Sequence, residues 1–325
     1  MFDLNRLRPL DHLNILGMAL ISIVALIFHS RVEDFVWIIA TNLAASAIIL
    51  VLVNLDAARS NRVIRFFTQW YSIPLIFLTF KEMYLMVHPI NPHDLDYVLI
   101  KLDRMLFGTD PTAVLDKIAT PGLTEFLQIC YSSFYILWII LGVDLLREHN
   151  ERGFLFFLFA LMLGFYTSYA GYLFVPAIGP RFTLYNFAKL NEQLPGLYLT
   201  TILRGIINSG ESITNVARAA ALAQRDCFPS GHTEMTLITI AIAIRYRAKS
   251  AMIIIPLGAG LIFATIYMRY HYGVDVIAGA LVGIFVLATA RWLESKLTRK
   301  KKAGGNGHEP EDIASFVEQE MYIRK

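Results

Sequence analysis

Three short polar stretches interrupt an otherwise apolar chain: "PAIGPRF" at 176–182, "CFPSGH" at 227–232 and "MRYHYGVD" at 268–275. In the second, proline favours a helix start, Ser230 is a good N-cap, and Gly231 lets a ligand approach the backbone closely. The free N–H groups of a first helical turn, at the positive end of the helix dipole, bind anions. His232 then stands beside that anion, able to pass a proton. The alternative is that Ser230 only caps a helix while His232 anchors it at a membrane interface. In the third stretch, if it is helical, His271 and Asp275 are four apart and share a face, so the carboxylate orients the imidazole and raises its basicity. That is the pairing of a nucleophile with its orienting group. Arg269 offers a planar fork to phosphate oxygens. An interfacial belt, with Tyr267, Tyr270 and Tyr272 at the headgroups and Arg269 snorkelling, is the rival reading, and it leaves Asp275 without a partner. In the first stretch two prolines and a glycine stop a helix, and Arg181 projects from a tight turn toward either headgroups or a site.

The elements that must hold these residues are membrane helices. Of 325 residues, 56% are hydrophobic and 17% charged, and the mean hydropathy is +0.51. Such a composition excludes an ordinary soluble domain and gives no reason to expect a nucleic-acid partner. Eight apolar runs are long enough to be spans: 12–29, 34–54, 67–88, 123–146, 153–174, 232–247, 250–268 and 274–293. The Lys and Arg clusters "ARSNRVIR", "REHNERG", "RYRAKS" and "RWLESKLTRKKK", with Arg6 and Arg8, then fall on one side, the cytoplasmic one, with both termini. All three polar stretches land on the opposite face. The net charge of +3 adds little, and Cys130 and Cys227 lack the spacing of a zinc site or a disulfide framework. In the connection before the fourth span, Leu95, Val98, Leu99, Leu102 and Leu106 recur at helical spacing, with Asp94, Asp96, Lys101, Asp103 and Arg104 largely elsewhere. This predicts an amphipathic helix on the outer surface, either a lid or spacer or a substrate contact.

In order, spacing and sidedness the three stretches resemble the type 2 phosphatidic acid phosphatase superfamily, whose pattern is Lys, six residues, Arg-Pro; Pro-Ser-Gly-His; then Ser-Arg, five residues, His, three residues, Asp. The middle motif is complete and the His-to-Asp spacing is intact from His271 to Asp275. Phe174 stands where the lysine is expected, Phe182 replaces the proline, and Thr265 occupies the arginine position, with Arg269 one helical turn further on. "GPRF", "PSGH" and "RYHYGVD" are most similar to the subgroup of inositol phosphorylceramide synthases. The resemblance implies that His271 attacks phosphorus, Asp275 orients it and His232 protonates the leaving oxygen. Arg181, Arg269 and the amides near Ser230 and Gly231 hold the nonbridging oxygens. No metal or cofactor is implied.

Lys81 and Glu82 lie within the third span, either as a structural ion pair or with Lys81 replacing the absent lysine, a role for which Lys189 competes. The resulting expectation is an all-α polytopic membrane bundle of eight helices. Residues 1–152 carry the N-terminal spans and the outer helix, 153–295 the catalytic bundle, and 296–325 a mobile cytoplasmic tail. The enzyme so described acts on a lipid phosphate at the outer leaflet, as a phosphatase or as a phosphotransferase using an acceptor alcohol. A transporter or lipid-binding protein with a degenerate site is the rival from another class.

Overall fold

A computed structural model describes residues 3–58 and 61–303. Sixteen α-helices are present among the described residues, and no strand. The first four are α1 (Pro9–Ile27), α2 (Phe35–Ala58), α3 (Arg62–Trp70) and α4 (Ser72–Ile90), followed by α5 (Asp96–Phe107) and the short α6 (Pro111–Leu115). Then come α7 (Pro121–Ser132), α8 (Phe134–Arg147) and α9 (Glu151–Phe174). Short pieces follow, α10 (Pro180–Thr183), α11 (Leu190–Gln193), α12 (Thr200–Gly210) and α13 (Ala219–Leu222), before α14 (Gly231–Arg245), α15 (Ala251–Tyr267) and α16 (Gly273–Ala303). The chain divides into two compact units, residues 1–290 and 291–325. Within the second unit α16 continues to Ala303, so the segment expected to be mobile from 296 begins as helix. The rest of that tail lies outside the described residues.

Among the described residues, five segments are long and apolar enough to cross a membrane: α1, α2, the α3–α4 stretch, α9 and α16 as far as Leu293. Helices α7 and α8 make a sixth if taken as one span bent by 52°. The bend has a local cause. Ser133 Oγ donates to the Cys130 carbonyl at 2.6 Å, and its N–H is shared between the carbonyls of Ile129 and Cys130, a competition that distorts helices. The remaining two expected spans are helical but short, α14 with 15 residues and α15 with 17. At about 1.5 Å per residue both fall short of a roughly 30 Å hydrocarbon core. The protein is thus an integral membrane protein in which five or six helices among the described residues meet the length and composition of a span, and the expected count of eight is not reached by that measure.

Helix α9 is the hub, packing against α1, α4, α8 and α14. Apolar all round and 72% buried over its most hydrophobic window, it behaves as a core helix should. Helix α5 differs from its expected surface role. Asp96, Leu99 and Asp103 are all buried, while Met105 and Leu106 are exposed. The spacing i, i+3, i+7 puts the two aspartates on the inward face with Leu99; they face inward because they are hydrogen-bond acceptors for the site described next.

Candidate active site

The three polar stretches are laced together by main-chain hydrogen bonds. Arg181 N–H donates to the Arg269 carbonyl (2.9 Å), Cys227 N–H to Ala177 (3.3 Å) and Ser230 N–H to Asp275 (3.1 Å). Two glycines make the approach achievable. A Cβ on Gly179, whose φ is +94°, would lie 2.5 Å from the Tyr270 carbonyl oxygen, and one on Gly279 would lie 2.4 Å from that of Ser230.

Helix α5 pins the same loops from outside. Asp96 accepts from Ile178 N–H (3.1 Å), Gly179 N–H (2.8 Å) and the Tyr272 hydroxyl (2.8 Å), joining the arginine turn to the histidine loop. Asp103 accepts from Gly273 N–H (2.8 Å) and Val274 N–H (2.7 Å), capping α16 from another part of the chain. Burial raises both carboxyls and these hydrogen bonds oppose it.

His271 Nδ1 lies 2.9 Å from the Cys227 carbonyl, which only accepts, so Nδ1 carries a proton and, in the neutral ring, the lone pair is on Nε2. That Nε2 faces His232 Nδ1 at 3.5 Å. Asp275 Oδ2 is 3.6 Å from His271 Nδ1 and takes closer donors, Tyr272 N–H at 2.8 Å and the Cys227 thiol at 2.9 Å. Burial and then Asp275 push the Cys227 thiol well up, so it remains an S–H donor. Cys227, whose spacing fits neither a zinc site nor a disulfide framework, is therefore part of the support for His271. Cys227 Sγ, His271 Nδ1 and Asp275 Oδ2 lie within 4.8 Å of one another, a donor set with metal-ligand chemistry, but these atoms already bond one another or the adjacent main chain. His232 stacks on Tyr131 at 4.6 Å and packs against Phe134 at 4.4 Å.

Helix α14 starts at Gly231 with Ser230 as N-cap, its Oγ accepting from Thr233 N–H at 3.3 Å. Because Ser230 N–H is spent on Asp275 and Thr233 N–H on Ser230 Oγ, the first-turn amides without an acceptor among the described residues are those of Gly231 and His232. Arg181 is buried, paired with Glu211, and its guanidinium lies over Tyr270 at 4.5 Å and Phe182 at 4.6 Å. Phe182 and Phe187 stack on each other and line an apolar cavity of about 500 Å³ beside that arginine.

Arg269 is not on the helix as expected. Helix α15 ends at Tyr267 and Arg269 takes a left-handed φ of +64°, while Tyr270 N–H and Arg269 N–H return to the carbonyls of Thr265 and Ile266. This is a Schellman ending with arginine at the position glycine usually holds. Its guanidinium pairs with Asp116 at 2.8 Å, bonds Gln193 and lies over Tyr185 at 3.6 Å; neither histidine is among these contacts. Lys81 Nζ donates to the Gly210 carbonyl at 2.6 Å and Ser212 Oγ at 2.9 Å, on either side of Glu211. It does not pair with Glu82, which accepts from Thr41 at 2.8 Å. Lys189 is exposed, and among the described residues it is not one of the partners of Arg181, His232 or His271.

Two acids were missed in the sequence. Glu211 holds Arg181, and Asp226 is pushed up to about 6 by burial and by Glu211, with His271 and Arg181 pulling it down. Asp226 sits next to the polar "CFPSGH" stretch, a signal that was there to read. Glu211, about thirty residues after Arg181 in a long connection, carried none.

The model of the PAP2 superfamily matches residues 98–289, more than half of the chain and enclosing all three stretches. The chain belongs to the PAP2 superfamily. No curated protein and no solved structure matches it. Membership supports a phosphatase-type enzyme acting on phosphate-bearing substrates in membranes.

Proposed function

We propose that the protein cleaves a lipid-linked phosphate ester by way of a phosphohistidine on His271, at the outer leaflet. The observation that carries this reading is the imidazole pair: His271 with its proton fixed on Nδ1 by the Cys227 carbonyl, and Nε2 turned to His232. Phosphorus enters along the Nε2 lone pair in place of the His232 contact. The N–P bond forms as the bond to the leaving oxygen breaks, and protonated His232 gives that oxygen its proton. Water or an acceptor alcohol then attacks phosphorus, His232 takes up its proton, and the N–P bond breaks. Arg181 and the amides of Gly231 and His232 hold the nonbridging oxygens; Arg269, engaged by Asp116, steadies the loop through its carbonyl. The likeness to inositol phosphorylceramide synthases favours transfer or hydrolysis of a phospholipid headgroup over simple phosphatidic acid hydrolysis.

The test is a panel of phospholipids given to purified protein with water alone and with alcohol acceptors, comparing wild type and His271→Ala. Release or transfer of phosphate or headgroup by wild type and its loss in the variant are expected. No release from any lipid under either condition refutes the enzyme reading. Sidedness is read with a reporter cysteine at Tyr198, which is 85% exposed, because Cys130 and Cys227 are buried. A membrane-impermeant thiol reagent labels Tyr198→Cys in intact cells if the orientation is as proposed, and only after permeabilisation if it is inverted.

A further inference from the structure

Arg181 is buried with a carboxylate already on it. Its Nη2 bonds Glu211 Oε2, and Asn208 Oδ1 is 3.5 Å from Nη1. Glu211 lies just past the end of α12, where its N–H donates to Ile207 and the neighbouring carbonyls make a carboxylate unfavourable. The turn is also bent: Ser212 has a left-handed φ of +65°. Lys81 grips this turn on both sides of Glu211 through the Gly210 carbonyl and Ser212 Oγ, and Gln224 Nε2 approaches the Gly210 carbonyl at 3.5 Å.

We infer that Glu211 is a built-in counter-ion of the Arg181 subsite, a specificity-determining carboxylate that an incoming phosphoryl group must displace. This rests on the reading of Arg181 as a phosphate-binding group. The displaced carboxylate has a cation within one residue of it, Lys81, so the turn changes partners instead of leaving a bare charge. Arg181 is thereby kept in place while no phosphate is bound. A simple anion that meets only the guanidinium competes with an intramolecular carboxylate. A phosphoryl group that also meets the α14 amides has contacts Glu211 does not make, and it wins. The apparent affinity for any anion is lowered by the fraction of molecules in which Glu211 is on the arginine.

The test measures orthovanadate binding to the purified full chain, alongside lipid cleavage. Glu211→Gln, which keeps an oxygen for the guanidinium but removes the charge, is expected to bind orthovanadate about tenfold more tightly than wild type. Glu211→Asp, which keeps the charge, is expected within about threefold of wild type on the same scale. In an Arg181→Met background the glutamine substitution is expected to have no effect. Equal or weaker binding by Glu211→Gln, with wild-type cleavage intact, overturns the inference and leaves the proposed function standing. Absence of both cleavage and orthovanadate binding in wild type overturns the two together.

Discussion

Replacing Asp96 with asparagine tests whether α5 is the support of the site. The carboxylate accepts from two amides and one hydroxyl, Gly179 N–H and Tyr272 O–H on Oδ1 and Ile178 N–H on Oδ2. Asparagine with its oxygen toward Gly179 and Tyr272 turns an amide group toward the Ile178 N–H, so one bond is lost and a buried donor is orphaned. The other two fall from charge-assisted to neutral. With about 1.5–3 kcal/mol for a hydrogen bond to a charged group and about 1 for a neutral one, the total comes to about 4 kcal/mol. For a chain of this size that is a fall of roughly 6 °C in Tm. Because the bonds lost are those joining the Arg181 turn to the His271 loop, turnover falls with it, by about a hundredfold for a displacement on the order of 1 Å. The assay is thermal unfolding in detergent together with kcat on the best lipid substrate. Asp94→Asn is the control: that residue pairs with Arg225 at 3.1 Å and its side chain is 28% exposed. An Asp96→Asn protein that melts with wild type and no lower than Asp94→Asn, with turnover unchanged, refutes the assignment of α5 as a scaffold.

Asp226 predicts a pH dependence. Its carboxyl, raised from 3.8 to about 6, is neutral below that value and charged above it, facing Arg181 and Glu211. With a phosphodiester substrate, which does not itself titrate in this range, KM is expected to rise as pH increases through about 6, and Asp226→Asn to flatten that limb; an unchanged profile in the variant contradicts it. For stability the sign is that of a raised carboxyl. The folded state binds the extra proton, so this contribution is complete below 3.8 and is lost as pH rises through about 6. Arg181→Met and Arg269→Met should separate binding from support. The first is expected to raise KM at least tenfold, and to lower Tm as well because it strips the half-buried Glu211 of its cation. The second is expected to lower Tm by a few degrees, since it strips Asp116 and Gln193 of their cation. Equal effects of the two on KM would return Arg269 to the phosphate.

The amino-acid order by itself determined that this is a helical membrane protein, because an apolar run long enough to span hydrocarbon has few other fates. It also marked out His232, His271, Asp275 and Arg181, since ionisable residues breaking apolar sequence are costly unless they serve something. Local signals sufficed for Ser230 as the cap of α14. What the order could not give was partnership. Asp96, Leu99 and Asp103 lie on one helical stripe in the sequence, yet only the fold shows that the amides of residues 178, 179, 273 and 274 come to them. Arg269 and Thr265 are one turn apart in a helix, but α15 stops between them and Asp116, far back in the chain, claims the guanidinium. Glu211 reached Arg181 from the end of α12, whose apolar spacing is readable but does not say what its end will meet, and Lys81 came to the same turn from a distant helix. Local propensity acts over a few residues and is written in the sequence. The choice of which charge meets which is made by the packing of helices distant in the chain, and in this molecule that choice gives Arg181 to Glu211 and Arg269 to Asp116.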